Sequence, residues 1–245
     1  MGSMTYCVGL LLDAGVVLLS DTRTNAGLDN IAIYRKMFTF SVPGERVVAI
    51  MTAGSLSVTQ TVIARLTDAA ENPDADETES ILKAPTMLKV AQLVGSVLSD
   101  VTVEVSNKIS RMNQGASASM IVAGQRKGGP MRMFLIYKEG NFIEATADTP
   151  YLQIGEHKYG KPILDRVITP ETSLAEAQKA VLLSMDSTLR SNLSVGMPLD
   201  LAVIKTDALE VSELRRIEAT DEGFAKMSSA WSKALKDGFQ QIDVV

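Results

Sequence analysis

The chain opens with apolar runs that alternate with turn residues, a pattern typical of antiparallel strands. Four strands are predicted in this part, over residues 6–12, 16–19, 36–42 and 47–52. The turns Asp13-Ala14-Gly15 and Pro43-Gly44-Glu45 separate the members of each pair. Because such short connections return the chain beside itself, the pattern predicts two β-hairpins.

Apolar residues spaced three and four apart then predict helices. The predicted helices cover 56–66, 85–112, 158–167, 173–193 and 221–241, and further strands cover 117–123, 132–137, 142–147, 152–155, 199–205 and 210–217. Ser55 is the predicted N-cap of the first helix. Ser173, with Glu176 three residues later, predicts a capping box.

Hairpins and a helix pair occur in the first half of the chain, and the same order recurs in the second half. This order predicts an α+β fold in which two antiparallel sheets stack face to face, each covered by helices, rather than a parallel Rossmann-type sheet. We expect residues 5–245 to form one domain, since 46% of the residues are hydrophobic. Residues 1–4 are interpreted as a cloning remnant followed by a start methionine.

Composition excludes several classes of function. The net charge of −5 argues against general binding of nucleic acid, which requires clustered Lys and Arg. One histidine and one cysteine offer no metal-ligand spacing and leave only carboxylates as metal ligands, so neither metal nor cofactor is expected. No apolar run reaches the length of a membrane span, and no secretory signal is evident. The single cysteine excludes an intramolecular disulfide and fits a cytoplasmic location.

Thr5 is the candidate nucleophile, because it stands directly before the first strand. Removal of a start methionine at position 4 would make Thr5 the N-terminus. Its hydroxyl would then attack an amide, and its own α-amine would take the proton. Residues that remain attached before Thr5 would block that amine.

Three further residues are predicted to meet Thr5 at one edge of the hairpins. Asp21 closes the second strand and would hold Lys36, which opens the third. A lysine ammonium beside the α-amine would lower the pKa of that amine by like-charge repulsion. Gly54 ends the fourth strand, where its backbone N–H could donate to the developing oxyanion.

Each of these residues also has a purely structural interpretation. Asp21 could start a turn or pair with Arg23, Lys36 could be a solvated strand end, and Gly54 could simply end a strand. Cys7 is interpreted as a small core residue and His157 as a surface residue.

The order and spacing of these residues resemble the proteasome β-subunit superfamily, and most closely its bacterial ancestral β-subunit family, Anbu. The resembling segments are Thr5-Tyr6-Cys7-Val8-Gly9, Ser20-Asp21-Thr22-Arg23-Thr24, Tyr34-Arg35-Lys36, Thr52-Ala53-Gly54-Ser55, Ile154-Gly155-Glu156 and Tyr159-Gly160-Lys161-Pro162. The resemblance implies the four-layer αββα fold of N-terminal nucleophile hydrolases, a threonine-type peptidase mechanism and self-association into rings or spirals. By position it assigns the nucleophile to Thr5, the acidic partner to Asp21, the pKa-lowering lysine to Lys36 and the oxyanion donor to Gly54.

The chain departs from proteasome β-subunits in the residues that hold the terminal amine. Glu156 stands where a serine is expected, and Ser191 and Ser194 occupy the region of the usual aspartate and second serine. Either Glu156 supplies the missing carboxylate or the amine is supported differently.

These observations favour a homo-oligomeric threonine hydrolase that acts on peptide or other amide bonds. Two alternatives remain: a scaffold or binding assembly with little or no turnover, and a narrow non-peptide amidase. Whether an unfolding ATPase or another partner serves the assembly is left open.

Overall fold

Two antiparallel sheets of five strands lie at the centre of the structure, a computed structural model that describes residues 5–25, 31–109 and 116–243. In spatial order the first sheet comprises β10 (Tyr151–Gly155), β1 (Tyr6–Leu12), β2 (Gly15–Asp21), β11 (Leu199–Lys205) and β12 (Glu213–Ile217). The second sheet comprises β5 (Met37–Val42), β6 (Arg46–Gly54), β7 (Ala118–Arg126), β8 (Arg132–Ile136) and β9 (Phe142–Glu144). A short ribbon of β3 (Arg23–Asn25) and β4 (Ile31–Ile33) lies between β2 and β5 in the chain.

Helices cover the outer face of each sheet. The helices are α1 (Leu56–Glu71), α2 (Met87–Ile109), α3 (Lys161–Val167), α4 (Leu174–Ser191) and α5 (Glu222–Gln240). Apolar residues of α1 and α2 pack on the second sheet, and those of α3, α4 and α5 pack on the first. A third cluster, which includes Cys7, Leu18 and Met51, fills the space between the sheets. The expected four-layer αββα sandwich is therefore confirmed.

The antiparallel register explains how distant residues reach one edge of the sandwich. In the pairing of β1 with β2, Cys7 lies opposite Ser20, so the start of β1 meets the end of β2. The segment before β5 is held to β6, because the Thr52 N–H donates to the Lys36 carbonyl at 2.9 Å. The end of β6 thus lies beside Lys36, and both sheets contribute to one site.

Three local details differ from what the sequence suggested. The β3–β4 ribbon was not predicted, since strands of three residues carry too little periodicity. Lys36 lies just before β5 rather than within it. Ser55 occupies the N-cap of α1, but its hydroxyl makes no capping bond and lies 3.1 Å from the Ser57 hydroxyl.

The capping box of α4 is confirmed. The Glu176 N–H donates to the Ser173 hydroxyl, and the Ser173 N–H donates to the Glu176 carboxylate. Within the described residues, no helix is long and apolar enough to cross a membrane.

Candidate active site

A buried ion pair lies at the base of the site. Lys36 Nζ is 2.7 Å from Asp21 Oδ1, and both residues are almost inaccessible to solvent, at 5% and 0% exposure. Lys36 Nζ also donates to the Arg23 carbonyl at 2.6 Å. Because an ammonium has three donors, these contacts leave one N–H for the cleft that Lys36 lines. Lys36 is therefore not a solvated strand end, and Asp21 pairs with Lys36 rather than with Arg23.

Asp21 joins three segments of the chain. Besides Lys36, its carboxylate accepts the Tyr6 N–H at 3.1 Å and the Gly196 N–H at 3.2 Å. Burial raises the pKa of the Asp21 carboxyl, and the Lys36 ammonium and the two N–H donors oppose that shift. Through Tyr6 the carboxylate also fixes the backbone next to Thr5.

Thr5 lies immediately before β1 and is buried. Its carbonyl accepts the Glu156 N–H at 2.7 Å, so the backbone of Thr5 is held from both sides. Thr5, Lys36 and Gly54 line the same cleft, which has a volume of about 440 Å³. The structure therefore brings together the candidate nucleophile, the candidate ammonium and the candidate oxyanion donor.

Gly54 has a backbone that only glycine adopts easily at this position. Its φ is +109°, and a Cβ on it would come within 2.3 Å of the Ser117 carbonyl oxygen. The next N–H, that of Ser55, donates to that same carbonyl on the β7 side. Since successive N–H groups of a strand alternate in direction, the Gly54 N–H points to the opposite side, where Lys36 lies.

Glu156 and Ser194 meet through a residue that the sequence did not indicate. Asn192 Nδ2 donates to Glu156 Oε2 at 3.2 Å, and Asn192 Oδ1 accepts the Ser194 N–H at 2.9 Å. Asn192 is the C-cap of α4, a position that gives no catalytic signal in the sequence. The cluster of Glu156, Asn192 and Ser194 lies beside Thr5, because Glu156 binds the Thr5 carbonyl through its N–H.

A second contact missed in the sequence fixes the strand behind Thr5. The Tyr6 hydroxyl lies 2.6 Å from the Ser184 hydroxyl and accepts from Gln153 Nε2 at 2.6 Å. Burial raises the pKa of Tyr6 to about 12, so its hydroxyl stays neutral. This network ties β1 to β10 and α4.

Cys7 and His157 lie where their structural interpretations place them. Cys7 is fully buried between the sheets, and its thiol lies 3.7 Å from the Thr52 carbonyl. His157 is exposed, as expected. Across the described ranges, no three His, Cys, Asp or Glu side chains are grouped closely enough to hold a metal ion.

Comparison with known proteins defines the class to which this fold and site belong. The family model described as proteasome subunit matches residues 3–204, and the chain belongs to that family. A search of curated proteins found no match.

Solved structures narrow the family to its Anbu, or ancestral beta-subunit, branch. An Anbu mutant from Hyphomicrobium sp. strain MC1 is 47% identical, with a TM-score of 0.90 over 98% of this chain and 99% of that one. Anbu from Yersinia bercovieri is 39% identical, with a TM-score of 0.90 over 98% of both chains. The Anbu complex from Pseudomonas aeruginosa, described as a helical assembly, is 44% identical, with a TM-score of 0.92 over 98% of both chains.

The position of Cys7 predicts an inert thiol. Burial raises its pKa, and the Asp21 carboxylate adds to this shift. We expect iodoacetamide to leave the native protein unmodified at mildly alkaline pH and to add one group per chain in concentrated guanidinium chloride. Intact mass measurement distinguishes the two cases, and complete labelling of the native protein would contradict the buried position.

Proposed function

We propose that the chain, once Thr5 is its first residue, is a homo-oligomeric threonine hydrolase of peptide or other amide bonds. One observation carries the proposal: Thr5, Gly54 and the Asp21-bound Lys36 line a single cleft. A buried ion pair that ends in such a cleft is the arrangement that an α-amine base requires, because the base must be neutral near pH 7.

The reaction follows from the positions of these groups. The Thr5 hydroxyl attacks the substrate carbonyl carbon while the Thr5 α-amine takes the hydroxyl proton. The negative oxygen that forms accepts a hydrogen bond from the Gly54 N–H, a contact that removes about 3 kcal/mol from the barrier when well aligned. The α-ammonium then protonates the leaving amine, and the acyl group remains on the Thr5 oxygen.

Water completes the cycle with the same residues. The neutral α-amine removes a proton from a water molecule, which attacks the carbonyl carbon of the acyl ester. The α-ammonium then returns that proton to the Thr5 oxygen as the ester bond breaks and the acid leaves. The Lys36 ammonium keeps the pKa of the α-amine below its ordinary value of about 7.7–8.0 by like-charge repulsion. Asp21 is a positioning residue in this scheme, since it orients Lys36 and binds the Tyr6 N–H.

Glu156 is proposed to replace the carboxylate that usually supports the terminal amine. Its N–H already binds the Thr5 carbonyl, and Asn192 holds its carboxylate. In this scheme Asn192 orients Glu156, and the Ser194 segment is anchored to Asn192 through its N–H.

Self-association and location are part of the proposal. The helical assembly described for the Pseudomonas aeruginosa relative supports an open homo-oligomer, since that chain matches this one over nearly its full length. The single buried cysteine supports a cytoplasmic location.

Replacement of Thr5 tests the nucleophile. In a chain started at Met4, intact mass should show loss of Met4 and one adduct per chain with a threonine-directed epoxyketone. Thr5→Ala should abolish both the adduct and turnover while fold and assembly persist. Thr24→Ala is the matched control, since Thr24 lines the same cleft, and it should retain the adduct. Loss of Met4 without an adduct would favour a non-hydrolytic scaffold.

Replacement of Lys36 tests the electrostatic role. Lys36→Ala should lower kcat/KM by about 10²-fold or more at neutral pH. Because the pKa of the α-amine then rises, the acidic limb of the pH–rate profile should move to higher pH. A profile that matches that of the parent would remove Lys36 from the mechanism. Circular dichroism must confirm folding, since the variant leaves the Asp21 carboxylate buried without its cation.

A double-mutant cycle tests the coupling between Glu156 and Asn192. Glu156→Gln should lower kcat/KM by about tenfold or more, the effect of losing one hydrogen bond to a charged group. Asn192→Ala alone should lower kcat/KM by a smaller factor. In the Glu156→Gln background it should lower kcat/KM little further. If the two effects multiply, Asn192 does not act through Glu156.

A further inference from the structure

The cleft beside Thr5 is lined by two cationic side chains and otherwise by uncharged groups. Most of its wall consists of hydroxyl, amide and small apolar groups. Thr24, Phe38, Gln60 and Ser117 are examples of these uncharged groups. Among the described residues that line it, Arg35 and Lys36 are charged, and none carries a carboxylate.

The two cations differ in how their charge is balanced. Lys36 is buried and bonded to Asp21, so its charge is largely compensated. Arg35 is exposed, and within the described part of the chain it forms no ion pair. Within the described residues, the wall of the cleft therefore presents one guanidinium that has no ion-pair partner.

Arg35 also lies at the junction with a second groove, of about 560 Å³, between β5 and β12. In that groove the charge of Arg216 is matched by Asp200, at 2.8 and 2.9 Å. The second groove therefore contains the carboxylates of Asp200 and Glu71, whereas no described residue that lines the cleft carries a carboxylate. Arg215 lines the second groove but not the first.

The backbone holds Arg35 close to the reacting groups. The carbonyl of its neighbour Lys36 accepts the Thr52 N–H, and Thr52 is two residues before Gly54 on β6. A substrate residue whose carbonyl oxygen binds the Gly54 N–H would thus place its side chain in the cleft that Arg35 lines.

We propose that the cleft selects substrates whose acyl-side residue, the residue that contributes the scissile carbonyl, carries a carboxylate, and that Arg35 is the specificity residue that pairs with it. This inference rests on the proposed function, because it takes Thr5 as the attacking group. A guanidinium binds a carboxylate through two parallel N–H donors, which a neutral amide of the same shape cannot match. A lysine side chain would be repelled by Arg35.

Binding to a chain that cannot turn over separates this inference from the proposed reaction. In the Thr5→Ala protein, calorimetry would compare acetyl-Ala-Ala-Xaa amides in which Xaa is Glu, Gln or Lys. We expect the Glu peptide to bind about tenfold more tightly than its Gln isostere, and the Lys peptide more weakly than both.

Three substitutions at two arginines test whether Arg35 causes the preference for the Glu peptide. Arg35→Gln should abolish the preference for Glu over Gln, and Arg35→Glu should reverse the order of the Glu and Lys peptides. Arg215→Gln removes the same charge from the second groove alone and should leave the order unchanged. Equal affinity for the three peptides, or an unchanged preference in Arg35→Gln, would overturn the inference.

Epoxyketone labelling of the parent chain distinguishes a failure of the carboxylate preference from a failure of the hydrolase proposal. If the epoxyketone modifies Thr5 and the three peptides bind equally, the carboxylate preference is wrong and the hydrolase proposal stands. If the peptides bind in the expected order and Thr5 is never modified, Arg35 still recognises the carboxylate, but the assignment to an acyl-side residue is overturned together with the reaction.

Discussion

The buried ion pair of Lys36 and Asp21 is the interaction on which the rest of the site depends. Removing a carboxylate from water costs several kcal/mol, which is recovered only when its oxygens are fully bonded. Here the donors are Lys36 Nζ and the N–H groups of Tyr6 and Gly196, which come from three distant parts of the chain. The pair is therefore stable only when both sheets are stacked, and the site forms together with the fold.

Backbone hydrogen bonds and strand geometry position most of the other groups of the site. The Thr5 carbonyl is held by the Glu156 N–H, and the Gly54 N–H is directed by the alternation of its strand. The proposed catalysis consequently needs few side chains: the Thr5 hydroxyl, the Lys36 ammonium and two carboxylates. The Asp21 carboxylate orients Lys36, and the Glu156 carboxylate supports the terminal amine. Relatives that are 39–47% identical keep nearly the same backbone over 98% of this chain, so many other positions are free to differ.

The sequence predicted what local patterns and antiparallel hairpins determine. Alternating apolar residues gave the strands, and a hairpin necessarily returns Asp21 to the side of Thr5. Contacts that depend on packing were missed. Asn192 and Glu156 are 36 positions apart and meet only because α4 packs on the first sheet. The Asp21–Lys36 pair was predicted, but the charge balance of the cleft also required knowing that Arg35 has no ion-pair partner in the described residues.

The positive φ of Gly54 divides the cleft into a fixed part and an adjustable part. Any side chain at Gly54 would collide with the Ser117 carbonyl, so selection cannot modify that position without moving a strand. Thr24, Arg35 and Gln60 meet no such restriction, because they occupy the wall through their side chains. Single substitutions at these lining residues can accordingly change which substrates the cleft recognises, while the proposed catalytic residues stay the same. Recognition in the cleft can therefore change at these positions without a change at Gly54.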